Sequence, residues 1–183
     1  MAKAATSSAK STRWGLIGLA LTRISLGLIL LWAFLDKLIG LGFTTCRKAA
    51  TDAVNVGCPD AWMNGGSPTE GFLSFATSGP FAGMFQNMAG AAWVDWLFML
   101  GLFGLGMALT VGVAVRLSAV LGSLLFLMMW MATLWPAHNP ILSDHIVYVF
   151  ALLAIGAFDK QQVLGAGAWW RKQAIAKKVR WLQ

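Results

Sequence analysis

Four apolar segments, each close to the length that crosses a lipid bilayer, constrain this chain more than any other feature. A transmembrane helix needs about 20 apolar residues, and only helices or closed barrels satisfy their backbone polar groups in lipid. The segments cover residues 14–35, 96–113, 117–135 and 140–158. With 58% hydrophobic and 11% charged residues, too little polar surface remains for a soluble domain. The sequence predicts an all-α polytopic membrane protein, a bundle of four transmembrane helices.

Basic residues give the orientation and the domain limits. Lysines and arginines concentrate in an N-terminal tail over residues 1–13, between the second and third segments, and in an amphipathic tail over 159–183. Because such residues favour the cytoplasmic side, both termini are expected there, around a membrane domain over residues 14–158. The first segment is too long for a cleaved signal. The net charge of +7 follows from this topology and needs no nucleic-acid partner.

The outer loop, about residues 42–92, is too long for a simple connection. Ser67, Pro68 and Glu70 form a capping-box pattern, and Pro80 with Gly90 marks a second short helix. Both helices would be apolar. They are interpreted either as a cap over the bundle or as interfacial helices that anchor the loop.

Polar residues gather at the outer ends of the four segments. We predict a catalytic set there, which consists of Asp36, Lys37, Asp95 and His145. Histidine titrates near neutral pH and can pass protons when a quinone is reduced or oxidised. His138 and Asp144 flank the start of the fourth segment. The alternative is an interfacial ion pair of Asp36 and Lys37 with Asp95 or Asp144.

A second set is predicted to bind a quinone. It consists of Arg23, Trp32, Asn139 and Tyr148. Arg23 follows Trp14 by nine residues, roughly 14 Å of helix, and should lie within the hydrocarbon layer. A cation there needs an internal partner. Arg23 therefore either bonds carbonyl groups as a structural residue or contacts a quinone head group.

Cys46 and Cys58 are the only cysteines. On this topology they face an oxidising compartment, so a structural disulfide is expected, with a redox-active pair as the alternative. No metal or haem is predicted, because the two histidines and scattered carboxylates match no ligand spacing. Gly104, Ala108 and Gly112, with Gly101 beside them, are expected to allow close helix packing.

Several strings resemble the DoxX/DoxD membrane proteins. They are WAFLDKLIGLGF (32–43), GGSPTEGFL (65–73), VDWLFMLGLFGLGMAL (94–109) and NPILSDHIVY (139–148). Residues 46–58 and the basic tail depart from that pattern. The resemblance implies four transmembrane helices in a bacterial or archaeal cytoplasmic membrane. Through the DoxD branch it also implies the small subunit of a thiosulfate:quinone oxidoreductase, with Arg23, Lys37, Arg47 and Lys48 as candidate cations for thiosulfate.

Two classes of function stay open. One is a quinone-linked oxidoreductase subunit, whose electrons would pass through the cysteine pair, a bound quinone or another subunit. The other is a non-catalytic accessory subunit of a larger respiratory or photosynthetic membrane complex. A transporter or a thiol-oxidation protein is a third, smaller alternative. The expected partners are membrane lipid and a second membrane or redox subunit, and a homo-oligomer also stays open.

Overall fold

The computed structural model describes residues 2–48, 51–136, 139 and 141–179, with the backbone alone for residues 2–12 and 175. Within these ranges the chain is helical and forms no β-strand, only isolated bridges from Arg47 to Val54 and from Ser78 to Thr133. Several residues used in the sequence analysis lie outside the described ranges, namely His138, Pro140 and residues 180–183.

Seven α-helices are described. They are α1 (Ala2–Leu35), α2 (Ala82–Gln86), α3 (Ala92–Val111), α4 (Val115–Ala132), α5 (Asp144–Ala157), α6 (Gly167–Trp170) and α7 (Ala174–Lys178). A π-helical turn, Asp36–Gly40, continues α1. The loop before α3 holds three further turns, Trp62–Asn64, Phe72–Ala76 and Gly79–Phe81. In its described part, the predicted amphipathic tail over 159–183 thus contains two short α-helices, α6 and α7, with a break at residues 171–173.

Three helical segments have the length and composition to cross a membrane: Arg13–Gly40, Ala92–Val111 and Val115–Ala132. The fourth apolar helix, α5, is shorter at 14 residues. Helix α5 begins only at Asp144, because hydrogen bonds of the Asn139 side chain form a turn just before it. Asn139 Oδ1 accepts the N–H groups of Ile141 at 2.9 Å and Leu142 at 2.8 Å, and Ser143 is extended.

Two helix pairs form the core. Helix α1 packs along α3, and α5 packs along α4. The latter pair is antiparallel, since Tyr148 meets Phe126 near one end and Gly156 meets Ala119 near the other. One apolar core joins all four helices. Its buried members are Leu26, Leu30, Met99, Leu102, Leu105, Leu109, Val115, Ala119, Phe126, Val149, Leu152 and Ile155.

Helices α1 and α3 approach each other closely at Gly27 and Gly106, not at the glycines that the sequence predicted. A Cβ on Gly27 would lie 2.4 Å from Thr110 Oγ1, and one on Gly106 would lie 2.8 Å from Leu31 Cγ. In contrast, a Cβ on Gly101 or Gly104 would meet nothing within 4 Å. Within this chain, Gly104 of the predicted ridge and Gly101 beside it therefore do not mark a close helix contact, because α3 is rotated so that both face away from its neighbours.

Gly112 also has a different role from the predicted one. Its φ of +79° places it in the left-handed region, and its N–H donates to the carbonyl of Ala108 at 2.9 Å. Glycine adopts this conformation without a Cβ clash, so Gly112 ends α3. It also leaves room for Arg23 of α1, because a Cβ on Gly112 would lie 2.6 Å from Arg23 Nη1.

Candidate functional site

Residues 41–48 and 51–91, called here the cap loop, cover the ends of the helices and are fixed to α1 through Asp36. This carboxylate is 1% exposed. It accepts the N–H groups of Phe43 at 3.0 Å, Thr44 at 2.8 Å and Thr45 at 3.2 Å, and the Thr44 hydroxyl at 2.6 Å. A buried carboxylate needs such donors, since desolvating an unpaired charge is costly. Asp36 therefore holds the first turn of the cap loop.

The cap loop is fixed to α3 through Asp95. The carboxylate is 7% exposed, and its Oδ1 accepts the hydroxyl of Ser67 at 2.8 Å and that of Thr69 at 2.5 Å. Ser67 Oγ also accepts the N–H of Glu70 at 3.1 Å, which is one half of the predicted capping box.

The cap loop is fixed to the end of α4 through Ser78. The backbone N–H of Ser78 donates to the carbonyl oxygen of Ala132 at 2.9 Å, and the Ser78 hydroxyl donates to the carbonyl oxygen of Leu134 at 2.9 Å. An apolar cluster of Leu73, Phe85 and Ala132 lies beside this contact. The loop thus packs on three helix ends, which is the geometry that the cap interpretation requires.

A cavity of about 1370 Å³ lies between the cap loop and the helix ends. Its apolar wall reaches Ile29 and Leu30 on α1, which are about 10 Å of helix from Lys37. The other apolar lining residues include Trp62, Phe72, Phe75, Phe85, Met88, Trp96, Phe98, Leu102, Leu125, Phe126, Met128 and Met129. The cavity is therefore amphipathic, with polar groups near the cap and an apolar floor between the helices.

Three of the four predicted catalytic residues, Lys37, Asp95 and His145, line this cavity, as does Tyr148. Lys37 Nζ lies 6.0 Å from the centre of the Phe98 ring. His145 Nδ1 lies 3.3 Å from Ser143 Oγ. The rings of His145 and Tyr148 flank that of Phe126, with centroids at 6.3 and 5.1 Å. Within the described residues, no ion pair joins Asp36 or Lys37 to Asp95 or Asp144.

The other predicted site residues lie outside the cavity lining. Asp36 faces the turn at residues 43–45. Trp32 is 48% exposed and packs edge-on against Phe43, with ring centroids 5.0 Å apart. Asn139 is exposed and caps the turn before α5. The structure therefore does not bring these three side chains together with His145.

Arg23 lies at the opposite end of the bundle, fully buried. Its guanidinium donates to the carbonyl groups of Leu109, Leu164 at 2.8 Å and Val163 at 3.4 Å, and to Gln162 Oε1 at 3.1 Å. These acceptors belong to the last turn of α3 and the segment after α5. Arg23 is thus level with the end of α3, about 20 Å of helix from Asp36, and bonds carbonyl groups as the structural interpretation predicts.

Cys46 and Cys58 are joined in a disulfide. Cys46 lines the cavity together with Thr44, Thr45 and Arg47, whereas Cys58 is 7% exposed and lies behind it. Arg47 Nη1 pairs with Asp52 Oδ1 at 2.6 Å on the exposed side of this turn.

Sequence reasoning did not assign the hydroxyl groups of Thr44, Ser67 and Thr69 as partners of the two carboxylates. Ser67 was predicted only as a helix cap, and no pattern marks a contact across 26 or 28 residues. Phe98 and Phe126, which flank the polar groups, look in sequence like any other apolar residue of a membrane segment. Within the described residues, no group of three or more His, Cys, Asp or Glu side chains could hold a metal ion.

The fold and the cavity define a class of protein: a helical membrane protein with an amphipathic cavity under a loop that is fixed to three helix ends. No family model matches the chain, and no curated protein or solved structure matches it.

Proposed function

We propose that this chain is a DoxX/DoxD-like membrane subunit of a quinone-linked oxidoreductase of the thiosulfate:quinone type. In this proposal α5 is the fourth transmembrane helix, both termini are cytoplasmic, and the cap loop lies on the outer face of a bacterial or archaeal cytoplasmic membrane. A partner subunit supplies electrons to the site or receives them from it.

The observation that carries the proposal is the composition of the cavity wall. A quinone needs an apolar slot for its ring and tail, and hydrogen-bond donors for its two carbonyl oxygens. Phe98, Phe126 and Leu102 line the apolar part, while Lys37, Tyr148 and His145 bring side-chain donors to the same cavity. The residues present therefore fit a quinone in their chemistry.

Each polar residue has a distinct role in this proposal. The quinone, when bound, accepts two electrons and two protons. Lys37 donates a hydrogen bond to a carbonyl oxygen and attracts an anionic electron donor such as thiosulfate. His145 and Tyr148 carry exchangeable protons beside the ring, and Asp95 holds Ser67 and Thr69 of the cap loop at the site.

Photolabelling with a short-tail azidoquinone tests the site without requiring turnover. We expect label on peptides of residues 94–102 and 125–132, and loss of label in Lys37→Met and Tyr148→Phe. Lys160→Met is the matched control, because Lys160 is exposed at the opposite end of the bundle. Label distributed evenly over all apolar helices would contradict the proposal. Thiosulfate-dependent reduction of the same quinone, measured on the wild-type protein, tests the donor separately.

A second candidate is a non-catalytic accessory subunit of a respiratory or photosynthetic complex. It is favoured by one observation: Asp36 and Asp95 are both occupied as anchors of the cap loop. Native purification in mild detergent decides between the two. Stoichiometric co-purification with a large redox complex, with no azidoquinone label on this chain, would support the accessory role.

A further inference from the structure

We propose that the Cys46–Cys58 disulfide is redox-active and transfers electrons from small thiols to the quinone in the cavity. This inference rests on the proposed function for its electron acceptor. It assigns the chain a thiol:quinone oxidoreductase activity, with the cysteine pair as the covalent centre.

The position of Cys46 is the first observation. Cys46 is one of the residues that line the same cavity as Lys37, His145 and Tyr148. Its Sγ packs against Gly40, where an added Cβ would lie 2.4 Å from the sulfur. Cys58 is buried and does not line the cavity. A thiol in the cavity therefore reaches only Cys46, and Cys58 is the leaving group.

The second observation is that hydrogen bonds, and not the disulfide alone, fix the backbone on both sides of the two cysteines. Asn55 contacts both cysteines through its main chain: its N–H donates to the carbonyl of Cys46 at 3.0 Å, and its carbonyl accepts the N–H of Cys58 at 3.1 Å. Asn64 Nδ2 donates to the carbonyl of Cys58 at 3.2 Å. Asp36 fixes residues 43–45 independently. These bonds keep the two sulfur atoms adjacent after reduction, as a cycling pair requires.

Cys46 also has an unusual backbone conformation. Its φ is +67°, in the left-handed region that residues with a Cβ rarely adopt. Such departures persist where the surrounding structure fixes them, and they cluster at functional sites. The hydrogen bonds around Asn55 and Asp36 supply that constraint here.

The electron balance closes over three steps. A substrate thiolate attacks Cys46 Sγ, the bond between the two Sγ atoms breaks, and Cys58 leaves as a thiolate. A second substrate thiol displaces Cys46, which yields the substrate disulfide and two reduced cysteines. The reduced pair then gives two electrons and two protons to the quinone, which becomes the quinol, and the protein disulfide forms again. The sum is two thiols and one quinone converted into one disulfide and one quinol.

The cavity selects the class of thiol. The reacting form is the thiolate, so a cation at the site favours it. Two cations line the cavity, Lys37 and Arg47, and Arg47 is the sequence neighbour of Cys46. A small anionic thiol such as glutathione fits a cavity of about 1370 Å³ below the cap loop.

The test uses the full chain in mild detergent, without oxygen. Wild-type protein is reduced with glutathione, freed of it, and mixed with a short-tail quinone; alkylation followed by mass spectrometry counts the free cysteines. We expect two alkylated cysteines before quinone and none after it. Steady-state glutathione-dependent quinone reduction should fall to the uncatalysed rate in the Cys46→Ser/Cys58→Ser protein.

Azidoquinone labelling of the same samples separates the two proposals. If the cavity is labelled but the cysteines stay reduced in the presence of quinone, the disulfide is structural and only this inference fails. If the cavity is not labelled, the quinone site itself fails and this inference fails with it. Labelling retained in the double-serine protein shows that its lost turnover is not caused by unfolding.

Discussion

At the scale of single residues, the buried charges of this molecule hold loop segments in place. Asp36 and Asp95 are nearly inaccessible. Asp36 accepts three backbone N–H groups and one hydroxyl of the cap loop, and Asp95 accepts two hydroxyls. Arg23 does the converse at the other end, where it donates to carbonyl groups of two separate segments. Each charge satisfies polar groups that could not be left unpaired inside a bundle. Lys37, in contrast, has no ion pair among the described residues and faces the cavity.

Removal of the Asp95 carboxylate should loosen the cap loop. In Asp95→Ala, the hydroxyl groups of Ser67 and Thr69 lose their acceptor, and hydrogen bonds to charged groups contribute about 1.5–3 kcal/mol each. We expect a lower thermal midpoint in detergent and faster protease cleavage between residues 66 and 78. Asp60→Ala is the control, since Asp60 is an exposed carboxylate of the same loop. Equal cleavage rates in the two variants would show that Asp95 does not hold the loop.

Replacement of Arg23 tests whether its role is structural. Arg23→Lys keeps the charge but loses the planar fork that reaches α3 and the segment after α5 together. A destabilisation of roughly 2 kcal/mol is expected, measured by thermal unfolding, with Arg13→Lys at an exposed position of α1 nearly neutral. Azidoquinone labelling should persist, because the cavity begins at the other end of the bundle. Loss of label in a folded Arg23→Lys protein would show that Arg23 contributes to quinone binding.

At the scale of elements, hydropathy predicted where the helices lie but not which face each one buries. Three predicted segments match helices that are long enough to span a membrane, with ends shifted by a few residues. The rotation of α3 was not predictable, because Gly101, Gly104 and Gly106 are equivalent in composition and only contact with Leu31 distinguishes them. The sequence predicted that the fourth segment begins at residue 140, whereas α5 begins at Asp144. The difference arises because the Asn139 side chain accepts backbone N–H groups of the next residues and forms a turn there instead of a helix.

The glycines of α1 and α3 give a matched pair of substitutions. Gly27→Ala places a methyl group 2.4 Å from Thr110 Oγ1 and 2.7 Å from its backbone nitrogen, so the two helices must separate. Gly104→Ala meets open space and gains helix propensity, which is worth up to about 1 kcal/mol. We expect a lower thermal midpoint for Gly27→Ala and an unchanged or higher one for Gly104→Ala. The reverse order would mean that α3 uses its other face against α1.

At the scale of the whole molecule, the candidate site is made by segments far apart in sequence. The cavity wall takes residues from α1, α3, α4, α5 and the cap loop. Sequence placed Lys37, Asp95 and His145 at one end, because helices that cross a membrane alternate in direction and bring these positions to the same side. Helical spacing already separates Asp36 from its neighbour Lys37. It could not show which groups Asp36 binds, since these depend on the path of residues 41–45.

Whether α5 crosses the membrane decides the topology of the whole chain. Its 14 residues span about 21 Å, less than the roughly 30 Å of a hydrocarbon core. It nevertheless runs antiparallel along α4, from the Phe126 level to the Ala119 level, and shares the core of the spanning helices. The flanking segments 141–143 and 158–161 must then lie within the two interfaces. On this basis α5 is expected to place the segments before and after it on opposite faces.

Single cysteines at exposed positions on either side of α5 test this expectation, since Cys46 and Cys58 are already paired. A membrane-impermeant maleimide added to intact cells should label Leu142→Cys and, in the cap loop, Met63→Cys. It should label Lys172→Cys only after the membrane is opened. Leu142 and Met63 are 55% and 63% exposed, and Lys172 is exposed as well. If Leu142→Cys and Lys172→Cys react from the same side, α5 does not cross, and the cap loop and the C-terminal tail share one compartment. The outer position of the site is tested separately by Met63→Cys: if it reacts only after the membrane is opened, the cap loop and its cavity are not on the outer face.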